Sequence, residues 1–233
     1  MRVSKVLGFA LAALLTAGRV FAGDFEDGIK FYTNSEYEQA RTAFLRAAAT
    51  GDARAQLQLG LIYFNGHGVA RDFTQAMSWY QKAALQGDVK AQYNLGLMYT
   101  NGQGVAQDHA QAAVWYRKAA AQGDARAQYN LGLMLANGWG VARDDGQAAD
   151  WYRKAAAQGY PGAQLNLGVM YANGQGMPQN VVEAYKWFEI AASQDDEQAT
   201  KNRDNLERRM SREQVAEAKR QAGSWLNEQQ PNR

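Results

Sequence analysis

Three kinds of residue in this sequence could take part in chemistry: closely spaced glycines, regularly spaced aspartates and two histidines. A Gly-x-Gly loop that binds a nucleotide follows a β-strand and occurs once in its domain. Here the loop occurs four times, each copy between two helical patterns, so we interpret it as a turn in which glycine accepts backbone angles closed to other residues. The four loops span residues 66–68, 102–104, 138–140 and 174–176.

The aspartates Asp72, Asp108 and Asp144 recur every 36 residues, each directly before a helical pattern. Carboxylates can serve as acid–base pairs or metal ligands, but an aspartate in this place caps a helix by accepting backbone N–H bonds. The two histidines, His67 and His109, stand in different repeats, and the sequence has no cysteine to complete a zinc site. The sequence also lacks the serine-hydrolase and metalloprotease motifs. It therefore predicts no metal, no cofactor and no catalytic site.

The helices that would position these residues repeat with a period of 36 residues. In the second repeat Ala91, Leu95 and Met98 lie on one face of a helix A that ends at an Asn-Gly pair. A helix B follows, and we expect it to bury both Trp115 and Tyr116. The anchors that mark the period are Ala55, Ala91, Ala127, Ala163, Gly60, Gly96, Gly132, Gly168, Trp79, Trp115, Trp151 and Trp187.

The repeat divides the chain into segments. An atypical helix pair precedes the full repeats, and we expect Ser35 to cap its second helix together with Glu38. A charged helix pair follows the repeats and provides a polar end, as stacked arrays require. The predicted segments are a signal peptide at 1–22, an N-terminal tetratricopeptide-like capping unit at 23–52, four repeats within 53–196 (53–88, 89–124, 125–160 and 161–196), C-terminal capping helices at 197–227 and a disordered tail at 228–233.

The first 22 residues have the features of a secretory signal. Arg2 and Lys5 precede an apolar run over residues 6–15, and small residues at Val20 and Ala22 predict cleavage after Ala22. The run is too short to span a bilayer, so we expect a periplasmic or secreted protein with no membrane span after cleavage. Without the signal 22 basic residues face 23 acidic ones, which does not suggest a nucleic-acid partner. We expect a monomer.

The pattern Ala-x-x-x-Leu-Gly-x-x-Tyr-x-x-Gly-x-Gly-Val, followed by Asp, Ala, Trp-Tyr and Ala-Ala, resembles the Sel1-like repeat family, a relative of tetratricopeptide repeats. Residues 55–84 and 91–120 match it throughout, and residues 127–156 depart from it only at Leu135. The last copy substitutes Met177, Asn180 and Phe188. The resemblance implies an all-α protein, a right-handed αα-superhelical solenoid of about 12 helices. It also implies a concave side, lined by helix A, that holds a protein or peptide, and no common enzymatic activity.

Two rows of polar residues on helix A repeat without an evident role in the core. Amides can hydrogen-bond a peptide backbone, and cations favour an acidic segment. The alternative is that the amides bond to neighbouring repeats and the cations are solvated. Trp139 interrupts the polar loop pattern and either anchors a partner or packs on an adjacent loop. The amide row is Gln58, Asn94, Asn130 and Asn166, and the cation row is Arg54, Lys90 and Arg126.

These observations lead to one main hypothesis and two alternatives. The main hypothesis is an exported, non-enzymatic scaffold that binds a protein or an extended, acidic peptide along helix A. The first alternative is a cell-wall or β-lactam hydrolase that uses the same groove. The second is a secreted factor that contacts host proteins, which the sequence does not separate from the main hypothesis.

Overall fold

The computed structural model describes residues 23–229, which form twelve α-helices without a β-strand. This confirms the all-α class and the tandem helix pairs. The predicted signal peptide, and residues 230–233 of the predicted tail, lie outside the described residues. The chain divides after Asp108 into two compact units.

The first unit contains five helices, and consecutive helices from α2 to α5 pack against each other. In this unit α3 and α5 are the A helices of the first two repeats, and α4 is the B helix of the first. The bounds are α1 at 23–33, α2 at Tyr37–Ala49, α3 at Ala53–Asn65, α4 at Phe73–Leu85 and α5 at Val89–Asn101.

The second unit contains seven helices, in which α7 and α9 are A helices and α6, α8 and α10 are B helices. The last two helices both pack against α10. The final helix reaches Gln229, two residues beyond the predicted end at 227. The bounds are α6 at His109–Ala121, α7 at Ala125–Asn137, α8 at Asp145–Ala157, α9 at Pro161–Asn173, α10 at Val181–Ala192, α11 at Glu197–Glu207 and α12 at Arg212–Gln229.

Aspartates start the helices as the sequence predicts. The carboxylate of Asp88 accepts the backbone N–H of Ala91 at 2.7 Å at the start of α5, and Asp144 accepts that of Gln147 at 2.8 Å at the start of α8. Hydrogen bonds from Gln147 hold the pKa of the Asp144 carboxyl below its usual value. The capping interpretation is therefore confirmed for Asp72 and Asp144, whose side chains satisfy otherwise unpaired N–H groups.

Helices A and B approach each other closely because a glycine on helix A faces an aromatic ring on helix B. A Cβ atom on Gly132 would lie 2.7 Å from Cε1 of Tyr152, closer than real carbon atoms pack. The buried ring therefore lies directly on the backbone of α7, and no larger residue fits there. The same contact joins Gly60 to Tyr80 and Gly168 to Phe188.

Buried glutamines form a polar row between consecutive repeats that the sequence analysis did not identify. In the second unit Gln164 is 0% exposed, donates to the carbonyl of Ala156 at 3.3 Å and accepts from Gln194 at 2.7 Å. Each buried amide thus bonds to a backbone carbonyl at the end of the preceding helix B. It also bonds to a glutamine in the turn that follows the next helix B. Gln128 makes the equivalent bonds to Ala120 and Gln158.

The tryptophans of the first three B helices are not buried as expected, whereas Trp187 in α10 is. Tyr116 is 2% exposed, whereas Trp115 lies half-buried at the edge with the Lys118 ammonium 4.1 Å from its ring centre. Lys82 covers Trp79 in the same way at 3.8 Å. The expectation that both aromatic residues are buried was wrong, because two adjacent helical residues point 100° apart and only one can face helix A.

The predicted N-terminal capping unit, helices α1 and α2, has the same glycine–aromatic contact but a shorter loop between its helices. A Cβ on Gly28 of α1 would collide with the ring of Phe44 on α2, as at Gly60 and Tyr80. The prediction that Ser35 caps α2 was wrong: the cap position is Glu36, and Ser35 has a left-handed backbone with φ of 63°. The tighter connection places Ser35 inside the turn instead of at the helix start.

The glycine–aromatic contact predicts that Gly132→Ala destabilises the protein by about 1–3 kcal/mol, because the added methyl group must displace the Tyr152 ring. The measurement is the free energy of unfolding in urea. The matched control is Gly223→Ala in α12, where a Cβ meets nothing within 4 Å. This change is expected to stabilise by up to about 1 kcal/mol through helix propensity. Equal effects of the two substitutions would contradict the packing argument.

Candidate functional site

Asn94 and Asn166 of the predicted amide row contact tyrosines of neighbouring helices. The Asn94 side chain is hydrogen-bonded to the hydroxyl of Tyr80 in the first unit, and Asn166 is bonded to Tyr152 and Tyr129 in the second. Burial raises the pKa of the Tyr152 hydroxyl well above its usual value, and the bond to Asn166 offsets part of this shift. These asparagines are half-buried, as are Gln58 and Asn130. One part of the Asn94 amide and of the Asn166 amide therefore serves the scaffold.

Two of the three cations of the predicted second row are paired with nearby aspartates. The guanidinium of Arg54 pairs with Asp52 at 2.7 Å and lies 4.1 Å from the ring centre of Phe25. Partial burial favours the neutral form of Asp52, but the hydrogen bonds and charge of Arg54 outweigh this and lower the pKa of the carboxyl. Arg126 pairs with Asp124 at 2.7 Å, whereas Lys90 is exposed. The row therefore offers less positive charge than its sequence suggests.

Trp139 packs on the preceding helix B and remains half-exposed. Its ring is stacked on His109 with a centroid distance of 6.3 Å and an interplanar angle of 26°, and 49% of its surface is exposed. The following glycine, Gly140, has a φ of 66° and touches the backbone of His109, which fixes the loop on that helix. Both alternatives for Trp139 thus retain support, since one face packs and the other is open to a partner.

A surface groove of about 410 Å³, here called the α7–α9 groove, runs between the A helices of the third and fourth repeats. Leu133 and Val169 contribute apolar surface, and Asn166 and Tyr152 contribute polar groups. The ion pair of Arg143 and Asp145, 2.8 Å apart, lies at its edge. This groove brings one predicted residue, Asn166, to an open surface that also offers aliphatic side chains.

A second groove, here called the α9–α11 groove, has a volume of about 520 Å³ and shares Val169 with the first. Phe188 lines it from α10, and none of its lining residues is acidic. The sequence analysis missed this part of the surface, although the 36-residue spacing that relates Asn94, Asn130 and Asn166 continues to Asn202. The other lining residues are Ala172, Asn173, Asn202, Asn205, Leu206, Arg208 and Arg209.

The described residues give no sign of a metal site. Among residues 23–229 no group of three or more His, Asp or Glu side chains is arranged to hold a metal ion. The shifted pKa values described above belong to helix caps and to buried tyrosines, so each has a structural cause. The two grooves, lined by amides, aliphatic side chains and arginines, are suited to hydrogen bonding and apolar contact.

None of the described helices is both long and apolar enough to cross a membrane.

The bond between Asn166 and Tyr152 predicts that Asn166→Ala lowers the free energy of unfolding by about 1–2 kcal/mol, because a buried hydroxyl loses its partner. Asn137→Ala is the control, since that exposed side chain bonds only to the Leu133 carbonyl of its own helix. We expect its effect to stay within about 0.5 kcal/mol. A double-mutant cycle with Tyr152→Phe measures the pair, and strictly additive effects would contradict the bond.

Comparison with known proteins identifies the repeat. The model of the Sel1 repeat matches residues 53–88, 89–124, 125–160 and 161–196, which coincide with the four repeats delimited in the sequence. No functionally curated protein matches the chain.

Two solved structures are similar to the chain in sequence and in fold. A Sel1 repeat protein from Oxalobacter formigenes is 36% identical with a TM-score of 0.72, over 75% of this chain and 72% of that one. A protective antigen present in uropathogenic Escherichia coli strains, which displays an SLR fold, is 31% identical with a TM-score of 0.58. That alignment covers 89% of this chain and 53% of the antigen.

Proteins built from Sel1 repeats are in general non-enzymatic scaffolds for protein interactions. The four matched repeats cover more than half of the sequence, and the described helix pairs have the geometry that the repeat requires. The chain therefore belongs to the Sel1 repeat family.

Proposed function

We propose that this protein is an exported, non-enzymatic scaffold that binds an extended segment of a partner protein along the A helices of its second unit. The observation that carries the proposal is the pair of adjoining grooves that share Val169. Together they offer aliphatic surface beside amides at the positions where consecutive A helices meet. An extended segment can place alternate side chains on the aliphatic surface while its backbone bonds to the amides.

The predicted binding residues take different roles in this proposal. Asn166 lies in the α7–α9 groove and contacts the segment with the part of its amide that the tyrosines leave free. Trp139 provides a half-exposed aromatic surface in the same unit. Secondary positions are those that line neither the α7–α9 groove nor the α9–α11 groove, namely Arg54, Gln58, Lys90, Asn94, Arg126 and Asn130.

Export is supported by the signal-like sequence of residues 1–22 and by the frequent export of bacterial Sel1 repeat proteins. We expect fractionation of producing cells to place the protein in the periplasm or the medium, with a mass that corresponds to cleavage after Ala22. Recovery from the cytoplasm at full length would contradict export. Recovery from the medium favours the secreted host-contact alternative, which the similarity to a protective antigen also supports. No specific observation favours the hydrolase alternative.

Groove binding predicts that Leu133→Gln combined with Val169→Gln reduces partner capture by about tenfold or more, because two apolar contacts are lost from the centre of the interface. The measurement is crosslinking from a photoreactive residue at Ala136. The control is Leu85→Gln with Val114→Gln, which alters two exposed aliphatic residues of B helices that are 77% and 41% exposed. Unchanged capture by the groove variant, or equal loss in the control, would place the binding surface elsewhere.

A further inference from the structure

We propose that the α9–α11 groove is an acidic-segment subsite, which recognises the carboxylate side chains of an extended partner segment. The inference rests on the proposed function and specifies the chemistry of the partner at one end of the binding surface. It differs from the expectation drawn from Arg54 and Arg126, whose charges are paired with aspartates. Arg208 and Arg209, which follow α11, form no such pair with the described residues.

The first argument is the register of α11 on the repeat. Its residues follow those of α9 at the same 36-residue spacing, so Asn202 corresponds to Asn166 and Asn205 to Val169. At the next two groove-facing positions Arg208 and Arg209 replace Ala172 and Asn173. The surface that helix A presents thus continues into α11. There an amide and two guanidinium groups replace the valine, alanine and asparagine of α9.

The second argument concerns the hydrogen bonds that Asn202 can make. In the preceding repeat Asn166 is bonded to the buried hydroxyl of Tyr152. The residue that corresponds to Tyr152 is Phe188, which lines the groove and has no hydroxyl group. The side-chain oxygen of Asn202 accepts from Gln198 at 2.9 Å, which leaves its N–H groups directed to other acceptors. A partner carboxylate is an acceptor of this kind.

The third argument is the balance of charge around the groove. Two other cations of the C-terminal helices are paired: Arg203 lies 3.1 Å from Glu189 and 2.8 Å from Asp204, and Lys219 lies 3.4 Å from Glu207. Arg208 and Arg209 are exposed and form no ion pair with the described residues. None of the lining residues is acidic, so the groove has an uncompensated charge of two guanidinium groups.

These features favour side-chain carboxylates over a terminal carboxylate. A chain terminus carries a single negative charge, whereas two adjacent guanidinium groups are neutralised by two carboxylates of one segment. The half-buried Val169 and Ala172 supply apolar surface in the groove for the small apolar residues that alternate with acidic ones in an extended chain. The occupant is therefore a segment in which acidic and small apolar residues alternate.

The test measures binding of three fluorescent octapeptides to the full chain. The first is acetylated and amidated (Ala-Glu)₄, the second is acetylated and amidated (Ala-Gln)₄, and the third is acetylated (Ala-Gln)₄ with a free carboxyl terminus. We expect the glutamate peptide to bind about tenfold or more tightly than either glutamine peptide, with an advantage that shrinks as salt is added. Equal binding of the glutamate and glutamine peptides, or no binding of any, would overturn the inference. Equal binding of the glutamate and free-carboxyl peptides would also overturn it in favour of a terminal carboxylate.

The decisive variant is Arg208→Ala with Arg209→Asn, which restores the residues that α9 carries at the same positions. It is expected to abolish the preference for glutamate, whereas Arg208→Lys with Arg209→Lys retains most of it because charge is kept. The control is Arg71→Gln with Arg117→Gln, which removes the same charge from exposed residues outside the groove and leaves the preference unchanged. Persistence of the preference in the first variant, or its loss in the control, would refute the subsite.

The two proposals fail in distinguishable ways. If Leu133→Gln with Val169→Gln leaves partner capture unchanged, the proposed groove function is wrong. If that variant loses capture while the native protein does not prefer the glutamate peptide, only the acidic-segment subsite is wrong. Thermal unfolding of Arg208→Ala with Arg209→Asn separates a folding defect from lost binding, and the lysine variant decides the question if that protein is unstable.

Discussion

The described structure depends on one close contact, in which a glycine on helix A receives an aromatic ring from helix B. At Gly132 and Tyr152 the ring lies where a side chain would otherwise stand, so the two helices pack at backbone distance. This contact buries a large apolar surface in a small helix pair. It also positions the tyrosine hydroxyl toward Asn166 on the next helix A, and the same residue therefore joins the packing within a repeat to the polar contacts between repeats.

The buried glutamines provide the second constraint. An unsatisfied amide in the core would cost about 1–3 kcal/mol, and each glutamine avoids this cost through a backbone carbonyl and a second glutamine. For Gln128 and Gln164 the partners are 8 residues before and 30 residues after, within the second unit. Because the bonds require fixed geometry, they determine how one repeat is placed on the next, which apolar contacts alone would specify less strictly.

The sequence predicted the features that depend on local signals. The aspartate caps at Asp72 and Asp144 and the glycine turns depend on neighbouring residues, and the structure confirms them. Periodicity could not decide which of the adjacent Trp115 and Tyr116 faces the core. The pairing of Arg54 with Asp52 depends on side-chain geometry at a helix start, which no spacing reveals.

The sequence did not indicate that the asparagine row continues to Asn202, for a different reason. Its neighbours Lys201, Arg203 and Asp204 replace two leucines and a glycine of the preceding repeat, so the apolar pattern that identifies helix A is absent. The 36-residue spacing alone links this residue to Asn166 in the sequence, and the packing of α11 on α10 supports the link. The candidate site was therefore predictable where it follows the repeat and not where the repeat is modified.

The glutamine bonds have an evolutionary consequence. Each repeat supplies the buried glutamine, the second glutamine that donates to it and the alanine carbonyl that accepts from the next repeat, so a duplicated 36-residue segment would bring a complete set of partners with it. Gain or loss of whole repeats would therefore leave the hydrogen bonds of the buried glutamines intact. In α11 Thr200 stands at the position of the buried glutamine, so the C-terminal helices do not carry this requirement. Sequence divergence among relatives of different length should thus concentrate at the C-terminal helices, where α11 already carries charges that no internal repeat has in those positions.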